Sequence, residues 1–181
     1  PPDMILVDKP KGITSFDVIR ALRRKYGVRK MGHAGTLDPA ATGLMIVGIG
    51  EGTKHLREFL KFSKVYEAEV LLGVRTATGD MEGKVLEREP VPDFARKKIE
   101  KVIESIVGKI TLPVPAYSAV KVRGARLYRL ARRGRAPAKT PEKEMEIFWI
   151  RLRGEKREGE GILLSIELEV RSGTYIRSVA E

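Results

Sequence analysis

The sequence predicts an α+β fold, with a mixed, largely antiparallel sheet flanked by helices. Alternating apolar residues indicate strands near both ends of the chain, and two amphipathic segments indicate helices between them. Strands and helices do not alternate in the regular way that is typical of a parallel sheet. The 181 residues can bury one core, so we expect a single domain over residues 1–181.

The first predicted elements are a short apolar strand at residues 4–7 and a turn at residues 9–12. A helix should then start at Ser15, the expected N-cap, and end at Gly27, because glycine commonly ends helices. The apolar residues expected to form the inner stripe of this helix are Phe16, Ile19, Leu22 and Tyr26.

The middle of the chain alternates strand and helix patterns less regularly. We expect a buried strand at residues 44–49, a short helix at 53–62 and a half-buried strand at 66–72. Residues 84–88 are expected to pair with that last strand after a polar turn at residues 78–80. Residues 94–107 form the clearest amphipathic helix, with an inner side expected to comprise Ile99, Val102, Ile103 and Ile106.

Two later strands, at residues 145–152 and 162–170, flank a charged turn that contains glycine, and residues 175–181 resemble a helix. Between them and the amphipathic helix lies a basic segment at residues 124–141, which we call the arm. Its helical core is expected at residues 126–133, bounded by Gly124, Gly134 and Pro137. The arm is either a mobile binding element or a solvated surface helix held by ion pairs.

The chain is strongly basic. It has 35 Lys+Arg against 24 Asp+Glu, a formal net charge of +11, which favours a polyanionic partner over a merely soluble basic protein. The cations are clustered, since residues 121–139 hold basic residues and no acidic one. A second group precedes the Asp38 loop: Arg20, Arg23, Arg24, Lys25, Arg29 and Lys30. Because aromatic residues are few, recognition of a folded nucleic acid is favoured over stacking of a long single strand.

Several residue types are missing. The chain has no Cys, Asn or Gln and is one-third charged, a composition that is typical of thermophilic proteins. With no Cys and only His33 and His55 as imidazoles, we expect no metal. The sequence shows neither an apolar stretch long enough for a membrane span nor a signal-peptide pattern, so we expect a cytoplasmic protein without membrane contact.

One carboxylate, Asp38, lies in a Gly-rich turn ahead of the strand at residues 44–49. Gly32, Gly35 and Gly43 permit backbone angles that other residues resist, and Pro39 fixes the angle that follows Asp38. Loops of this kind often carry function. The pattern therefore indicates that the backbone fixes the orientation of the Asp38 carboxylate, but it does not identify a reaction.

Residues 32–44, GHAGTLDPAATGL, resemble the catalytic motif of the TruB family of tRNA pseudouridine synthases. Four more segments match the family in its order: DKPKGITS from Asp8, KVY from Lys64, PAYSAVK from Pro115 and SGTYIR from Ser172. The resemblance implies the pseudouridine synthase fold and the arm as an RNA-binding insertion. It also implies a catalytic domain that lacks its C-terminal end and the small C-terminal PUA domain.

The implied activity is isomerisation of uridine 55 in the T-arm loop of tRNA to pseudouridine, with the base flipped into a pocket and without a cofactor. We expect a monomer that binds the T-arm stem-loop. Asp38 would be the catalytic nucleophile or base. Tyr66 would stack on the uracil and assist removal of the C5 proton, and Arg177 would pair with Asp38 and keep it ionised. The alternative for Tyr66 is a strand tyrosine buried in the core. The alternative for Arg177 is an exposed arginine at the start of a helix.

The resemblance places His33 against the RNA and Tyr175 in the pocket. Lys9 either contacts the substrate or braces the Asp38 loop, and Lys64 and Lys121 either contact phosphates or support loops. Together with the arm, the predicted RNA-binding residues are His33, Tyr175, Lys9, Lys64, Lys121, Arg126, Arg129, Arg132 and Arg133.

Two other functions are weighed against this one. The first is a pseudouridine synthase that depends on a guide RNA within a ribonucleoprotein, and the second is an RNA-binding or RNA-folding module without catalysis. A nucleotide loop at residues 48–52 is set aside, because no Lys-Ser/Thr pair follows with P-loop spacing.

Overall fold

The computed structural model describes residues 1–93 and 96–181 of the chain. These residues form antiparallel sheets with a few short helices, which confirms the predicted α+β class. The chain divides into two compact units, residues 1–62 and residues 63–181.

The first unit contains a three-stranded antiparallel sheet. Its strands are β1 (Met4–Lys9), β2 (Met31–His33) and β3 (Gly43–Ile49), in the order β1-β3-β2. The strands predicted at residues 4–7 and 44–49 are thus confirmed, whereas β2 was not predicted. The core on one face of the sheet is formed by Ile19, Met31, Val47 and Ile49.

Helix α1 comprises Ser15–Tyr26. It begins one residue earlier than predicted, because Ser15 is its first residue and not its N-cap. Its N-cap is Thr14, whose hydroxyl accepts the N–H of Asp17 while the Asp17 carboxylate accepts the N–H of Thr14. These bonds from Thr14, together with the Arg20 guanidinium, hold the pKa of Asp17 well below its usual range. The helix ends at Gly27 in the left-handed region, as predicted.

The predicted inner stripe of α1 is wrong at Phe16, which is 54% exposed. The buried apolar residues of the helix are Val18 and Ile19, and Leu22 and Tyr26 pack partly buried against the core. The first turn of the helix buries Ser15 and Val18 instead, so the prediction from apolar spacing chose the wrong face at this end of α1.

Close backbone packing follows β3. The helix predicted at residues 53–62 appears as a 3₁₀ segment (Gly50–His55) and helix α2 (Leu56–Phe59). A Cβ atom on Gly52 would lie 1.9 Å from the carbonyl oxygen of Asp3, and one on Gly48 would lie 2.8 Å from that of Gly52. Both glycines therefore serve backbone packing.

The second unit is built on a four-stranded antiparallel sheet with the order β4-β11-β10-β7. The strands are β4 (Lys64–Leu72), β7 (Gly108–Pro113), β10 (Glu142–Glu158) and β11 (Gly161–Val170). The strand predictions at residues 66–72, 145–152 and 162–170 are confirmed. Helix α3 (Arg96–Ser105) packs Ile99 and Ile103 on this core, but Val102 is 58% exposed, contrary to the prediction. Residue 94, the predicted helix start, lies outside the described residues.

Smaller elements complete this unit: β5 (Val74–Thr76), β6 (Val85–Arg88), β8 (Lys121–Val122), β9 (Ala125–Arg126), α4 (Leu127–Arg132) and α5 (Ile176–Ala180). The predicted pairing of residues 84–88 with β4 is wrong. The chain turns at Gly73, whose φ is 87°, so that β6 pairs with β5, and β11 pairs with β4 instead. No helix of the described chain is long and apolar enough to cross a membrane.

Replacing Gly52 with Ala should destabilise the first unit, because the added Cβ would overlap the backbone of Asp3. We expect a loss of about 1–3 kcal/mol in the free energy of unfolding, measured by urea denaturation. Gly154→Ala is the control, since a Cβ there would meet only the Ser165 side chain, at 3.9 Å. Equal stability of the two variants would contradict the packing role of Gly52.

Candidate active site

Asp38 lies in the loop that joins β2 to β3, and it is half-buried. Its carbonyl oxygen accepts the N–H of Ala41 at 3.0 Å, which closes a turn with Pro39 in the second position. Proline is favoured there because its ring presets the backbone angle of that position. The turn therefore starts at the candidate catalytic residue itself.

The backbone immediately before Asp38 is held by one side chain of α1. The Ser15 hydroxyl accepts the N–H of Leu37 at 2.9 Å and donates to the carbonyl of Leu37 at 3.1 Å. Ser15 is 2% exposed, so these bonds form away from water. Ser15 was predicted only as a helix cap, and nothing in the local sequence indicates its second role.

The backbone immediately after Asp38 is held from β1 and the turn that follows it. The Pro39 carbonyl accepts the Gly12 N–H at 2.8 Å and the Lys9 ammonium at 3.3 Å. The same ammonium donates to the carbonyls of Pro10 at 2.9 Å and Ile13 at 2.8 Å. Asp38 is thus bracketed by hydrogen bonds on both sides, and we call this arrangement the Asp38 clamp.

Lys9 is fully buried, with 0% exposure. It follows Ile5 and Val7 at alternate positions of β1, so its side chain continues the face of the strand that packs on the core. A buried ammonium must be hydrogen-bonded, and the three carbonyls meet that need. Of the two roles predicted for Lys9, the structure contains the bonds of the bracing one, and burial is incompatible with an ammonium that contacts RNA phosphate.

His33 is the last residue of β2 and is half-buried. Its Nδ1 lies 2.5 Å from the carbonyl oxygen of Gly35. This contact ties the imidazole to the backbone of the loop that leads to Asp38. Among the described residues, no group of three carboxylate or imidazole side chains is placed to hold a metal ion.

In the second unit, Arg177 joins segments that are distant in sequence. From the first turn of α5 it donates to the carbonyl of Thr78 at 2.8 Å and to that of Tyr117 at 3.3 Å. The alternative of an exposed helix-start arginine is therefore wrong. Residues 78–80 were predicted only as a turn, and their proximity to Arg177 carried no sequence signal.

Tyr66 and Lys64 lie on β4, whose first residue is paired with Val170 at the end of β11, shortly before the SGTYIR segment. Tyr66 is partly buried against the sheet core and is paired in register with Leu168. The Lys64 ammonium donates to the Ser172 hydroxyl at 3.2 Å, and burial lowers the pKa of this lysine. Tyr175 caps α5 and packs partly buried on Met145 and its neighbours, with the Lys143 ammonium 5.6 Å from its ring centre.

The arm is attached to the second unit through Leu127, which is fully buried against Val114 and Met145. Before it, β8 and β9 form a hairpin that turns at Arg123 and Gly124, both with positive φ. An open cleft of about 460 Å³ lies beside α4, and its lining includes Lys121, Arg126, Arg129 and Arg133. The predicted helical core is confirmed, shortened by one residue at each end.

The arginines of the arm are exposed and gather around Tyr128. Arg129 and Arg132 lie 5.9 and 5.8 Å from its ring centre, and the hydrogen bond from Arg129 lowers the pKa of the Tyr128 hydroxyl. Within the described part of the chain, the salt bridges involve other cations than Arg126, Arg129, Arg132 and Arg133. This arrangement favours a binding surface over a helix held by ion pairs.

The five segments that carry the resemblance fall into two hydrogen-bonded groups, one in each unit. In the first, residues Lys9 to Ser15 hold the Asp38 loop. In the second, Lys64 is bonded to Ser172, and Arg177 to the carbonyl of Tyr117. These bonds join residues 22 to 108 positions apart. Residues matched as motifs are therefore also structural partners.

Ser15→Ala should loosen the Asp38 loop, because both backbone groups of Leu37 would lose the buried hydroxyl to which they are bonded. We expect a loss of about 1–3 kcal/mol in the free energy of unfolding, with faster amide exchange at Leu37. Ser105→Ala is the control, since its hydroxyl makes an exposed bond to the carbonyl of Val102. Unchanged exchange at Leu37 would remove Ser15 from the clamp.

Comparison with known proteins places this geometry in a family. Residues 23–176 match the model of the TruB family pseudouridylate synthase (N terminal domain). The chain is 40% identical to tRNA pseudouridine synthase B of Endomicrobium trichonymphae over 98% of its own length and 75% of that protein. It is 41% identical to the enzymes of the same name from Corynebacterium aurimucosum and Thermobifida fusca, and spans 59% and 61% of their lengths.

Solved structures show the same fold. A structure of an H/ACA ribonucleoprotein bound to a substrate RNA containing 2′-deoxyuridine matches 98% of this chain and 40% of its own, with a TM-score of 0.64 and 23% identity. A Cbf5-Nop10-Gar1 complex matches with a TM-score of 0.62 and 24% identity, over 98% of this chain and 42% of its own. At these identities the likeness concerns the fold alone. On the family match and the curated relatives together, the chain belongs to the TruB family of pseudouridylate synthases, which are isomerases.

Proposed function

We propose that this chain isomerises uridine 55 in the T-arm loop of tRNA to pseudouridine, with Asp38 supplying the reacting carboxylate. The observation that carries the proposal is the Asp38 clamp, which fixes the backbone on both sides of one carboxylate in the loop that matches the family motif. Relatives 40–41% identical are named tRNA pseudouridine synthase B, which supports tRNA as the substrate.

The reaction needs few chemical groups. The N-glycosidic bond breaks, the uracil rotates, a bond forms from its C5 to the ribose, and the C5 proton leaves while N1 gains one. Atoms and electrons balance without an outside reagent. A carboxylate acting as nucleophile or base can start this sequence, provided that it is ionised and held in place. The clamp supplies the positioning.

The other catalytic roles belong to the second unit in this proposal. Tyr66 stacks on the flipped uracil and assists removal of its C5 proton. Arg177 pairs with the Asp38 carboxylate in this proposal and orients it. The bonds from Arg177 to the carbonyls of Thr78 and Tyr117 support this role, because they restrict the long side chain to one orientation.

The basic surfaces would compensate for the energy needed to extract the base. Flipping a nucleotide costs a few kcal/mol of unstacking, according to the general behaviour of base-flipping enzymes. We propose that the arm binds phosphates through Arg126, Arg129, Arg132 and Arg133, with Lys121 at the edge of the same cleft. His33, Lys64 and Tyr175 are proposed to line the RNA path.

Function with a guide RNA remains the second candidate. The ribonucleoprotein structures are similar to this chain in fold, at 23–24% identity, whereas the stand-alone tRNA enzymes are its curated relatives at 40–41%. The difference in identity favours the stand-alone activity. A module without catalysis is disfavoured, because it would have no need of a clamped carboxylate.

Asp38→Asn should abolish turnover and leave tRNA affinity within about tenfold of the parent, because the residues proposed to bind phosphate lie elsewhere. The assay is tritium release from a tRNA transcript labelled at uridine C5, without added guide RNA and at elevated temperature. Asp93→Asn is the matched control, since Asp93 is exposed and pairs only peripherally with Arg157. Near-normal release by Asp38→Asn would exclude Asp38 from the mechanism.

A chain extended beyond Glu181 is tested in the same assay. Release by the extended chain alone would mean that a further segment completes the pocket. Release by neither chain, but by a chain supplied with guide RNA, would favour the guide-dependent function.

Replacing the four arm arginines, Arg126, Arg129, Arg132 and Arg133, with Gln should weaken tRNA binding and flatten its salt dependence. The slope of log K against log salt should become shallower by about 0.7–0.9 for each phosphate that the arm no longer neutralises. The matched control removes four exposed cations elsewhere: Arg57, Lys97, Lys101 and Lys156. Equal salt slopes for the two variants would show that the arm contributes only overall charge.

A further inference from the structure

The outer face of α1 carries an exposed aromatic ring next to two guanidinium groups. Phe16 is 54% exposed, and Arg20 and Arg23 follow it on the same helical face. Their Cζ atoms lie 5.8 and 5.7 Å from the ring centre, within the range of cation–π attraction. We call these three side chains the α1 platform.

Both arginines are also held by a second interaction. Arg20 forms an ion pair with Asp17, and Arg23 donates to the carbonyl of Met31 at 3.3 Å. The Nε atom of Arg23 is buried and has no hydrogen-bond partner among the described residues. Side chains that are already ordered lose little conformational entropy when a ligand binds. The platform is therefore organised in advance, and a phosphate that binds Arg20 must share or displace its ion pair with Asp17.

A second aromatic ring close to two guanidinium groups occurs on α4, where Arg129 and Arg132 lie 5.9 and 5.8 Å from the ring centre of Tyr128. That helix belongs to the arm, for which RNA binding is already proposed. Core packing accounts for neither ring fully, since Phe16 is exposed and Tyr128 is half-buried. An aromatic ring flanked by arginines suits RNA, because the ring stacks on an unpaired base while guanidinium groups bind phosphate.

The platform also lies next to the candidate catalytic loop. Ser15, the residue before Phe16, bonds both backbone groups of Leu37, the residue before Asp38. The first turn of α1 therefore lies close to the backbone of the Asp38 loop. Arg24 and Lys25, both exposed on the same helix, add positive charge near this path.

We propose that the α1 platform is an RNA-docking surface, on which an unpaired base of the substrate tRNA stacks on Phe16 and nearby phosphates bind Arg20 and Arg23. The identity of the RNA rests on the proposed function. The docking itself depends only on the geometry of α1.

The first test replaces the ring and keeps apolar bulk, as Phe16→Leu. Binding of a T-arm stem-loop and of a full tRNA transcript is followed by fluorescence anisotropy at several salt concentrations. Removing the stacking of one base should weaken binding about tenfold without a change in salt slope, because no charge is removed. Phe148→Leu, at an exposed aromatic residue of β10, should bind like the parent.

The second test removes the charges. Arg20→Gln with Arg23→Gln should lower the salt slope by about 0.7–0.9 for each phosphate that these arginines neutralise in the parent. The control in the same unit is Arg57→Gln with Lys61→Gln, at two exposed cations after β3. Equal slopes for the two pairs would overturn the binding of phosphate by Arg20 and Arg23.

These outcomes separate the platform from the catalytic proposal. If neither this chain nor the extended chain forms pseudouridine but Phe16→Leu binds RNA more weakly, the proposed activity is wrong and the platform stands. If pseudouridine forms and Phe16→Leu binds RNA like the parent, the platform is overturned, and the face serves another partner. Should Phe16→Leu fail to fold, ultraviolet cross-linking of the unaltered chain replaces it. A cross-link from RNA to Phe16 supports the platform, and cross-links confined to the arm overturn it.

Discussion

The geometry of the first unit depends on the hydrogen bonds that hold the backbone around Asp38. Ser15 binds Leu37, and Lys9 and Gly12 bind Pro39, so the residues before and after the carboxylate are both fixed. Each donor comes from a different local structure: a strand end, a turn and a helix start. The loop can adopt this conformation only when all three are in place, which couples the position of Asp38 to the folding of the whole unit.

Lys9 shows why this coupling is strong. Burying an ammonium without hydrogen bonds would cost several kcal/mol, so the folded unit is favoured only when the carbonyls of Pro10, Ile13 and Pro39 surround it. Apolar packing is not directional and would allow several loop conformations. A buried ammonium favours the conformation in which backbone carbonyls accept its hydrogen bonds. The chain thus uses one buried cation to position a loop, through three backbone carbonyls.

Sequence patterns predicted the longer strands, the end of α1 at Gly27 and the general position of the arm, since these depend on local periodicity and backbone preference. They missed β2, which has only three residues and no measurable period, and they also missed β7. They also named Ser15 as the cap in place of Thr14, because adjacent hydroxyl residues have similar capping preferences. The Ser15 bond to Leu37 is a tertiary interaction, and local patterns hold no information about it.

The family motifs nevertheless include residues that are hydrogen-bonded to each other across long sequence distances, which local patterns do not reveal. Residues of DKPKGITS support the Asp38 loop, and Arg177 is bonded to carbonyls that include that of Tyr117 in PAYSAVK. Every residue has a backbone carbonyl, so the residue that accepts such a bond cannot be recognised from its type. Only the side chain that donates is visible in the sequence. The backbone on both sides of one carboxylate is therefore held by side chains that lie 22 and 30 positions away from their partners in the sequence, and only the folded first unit brings them together.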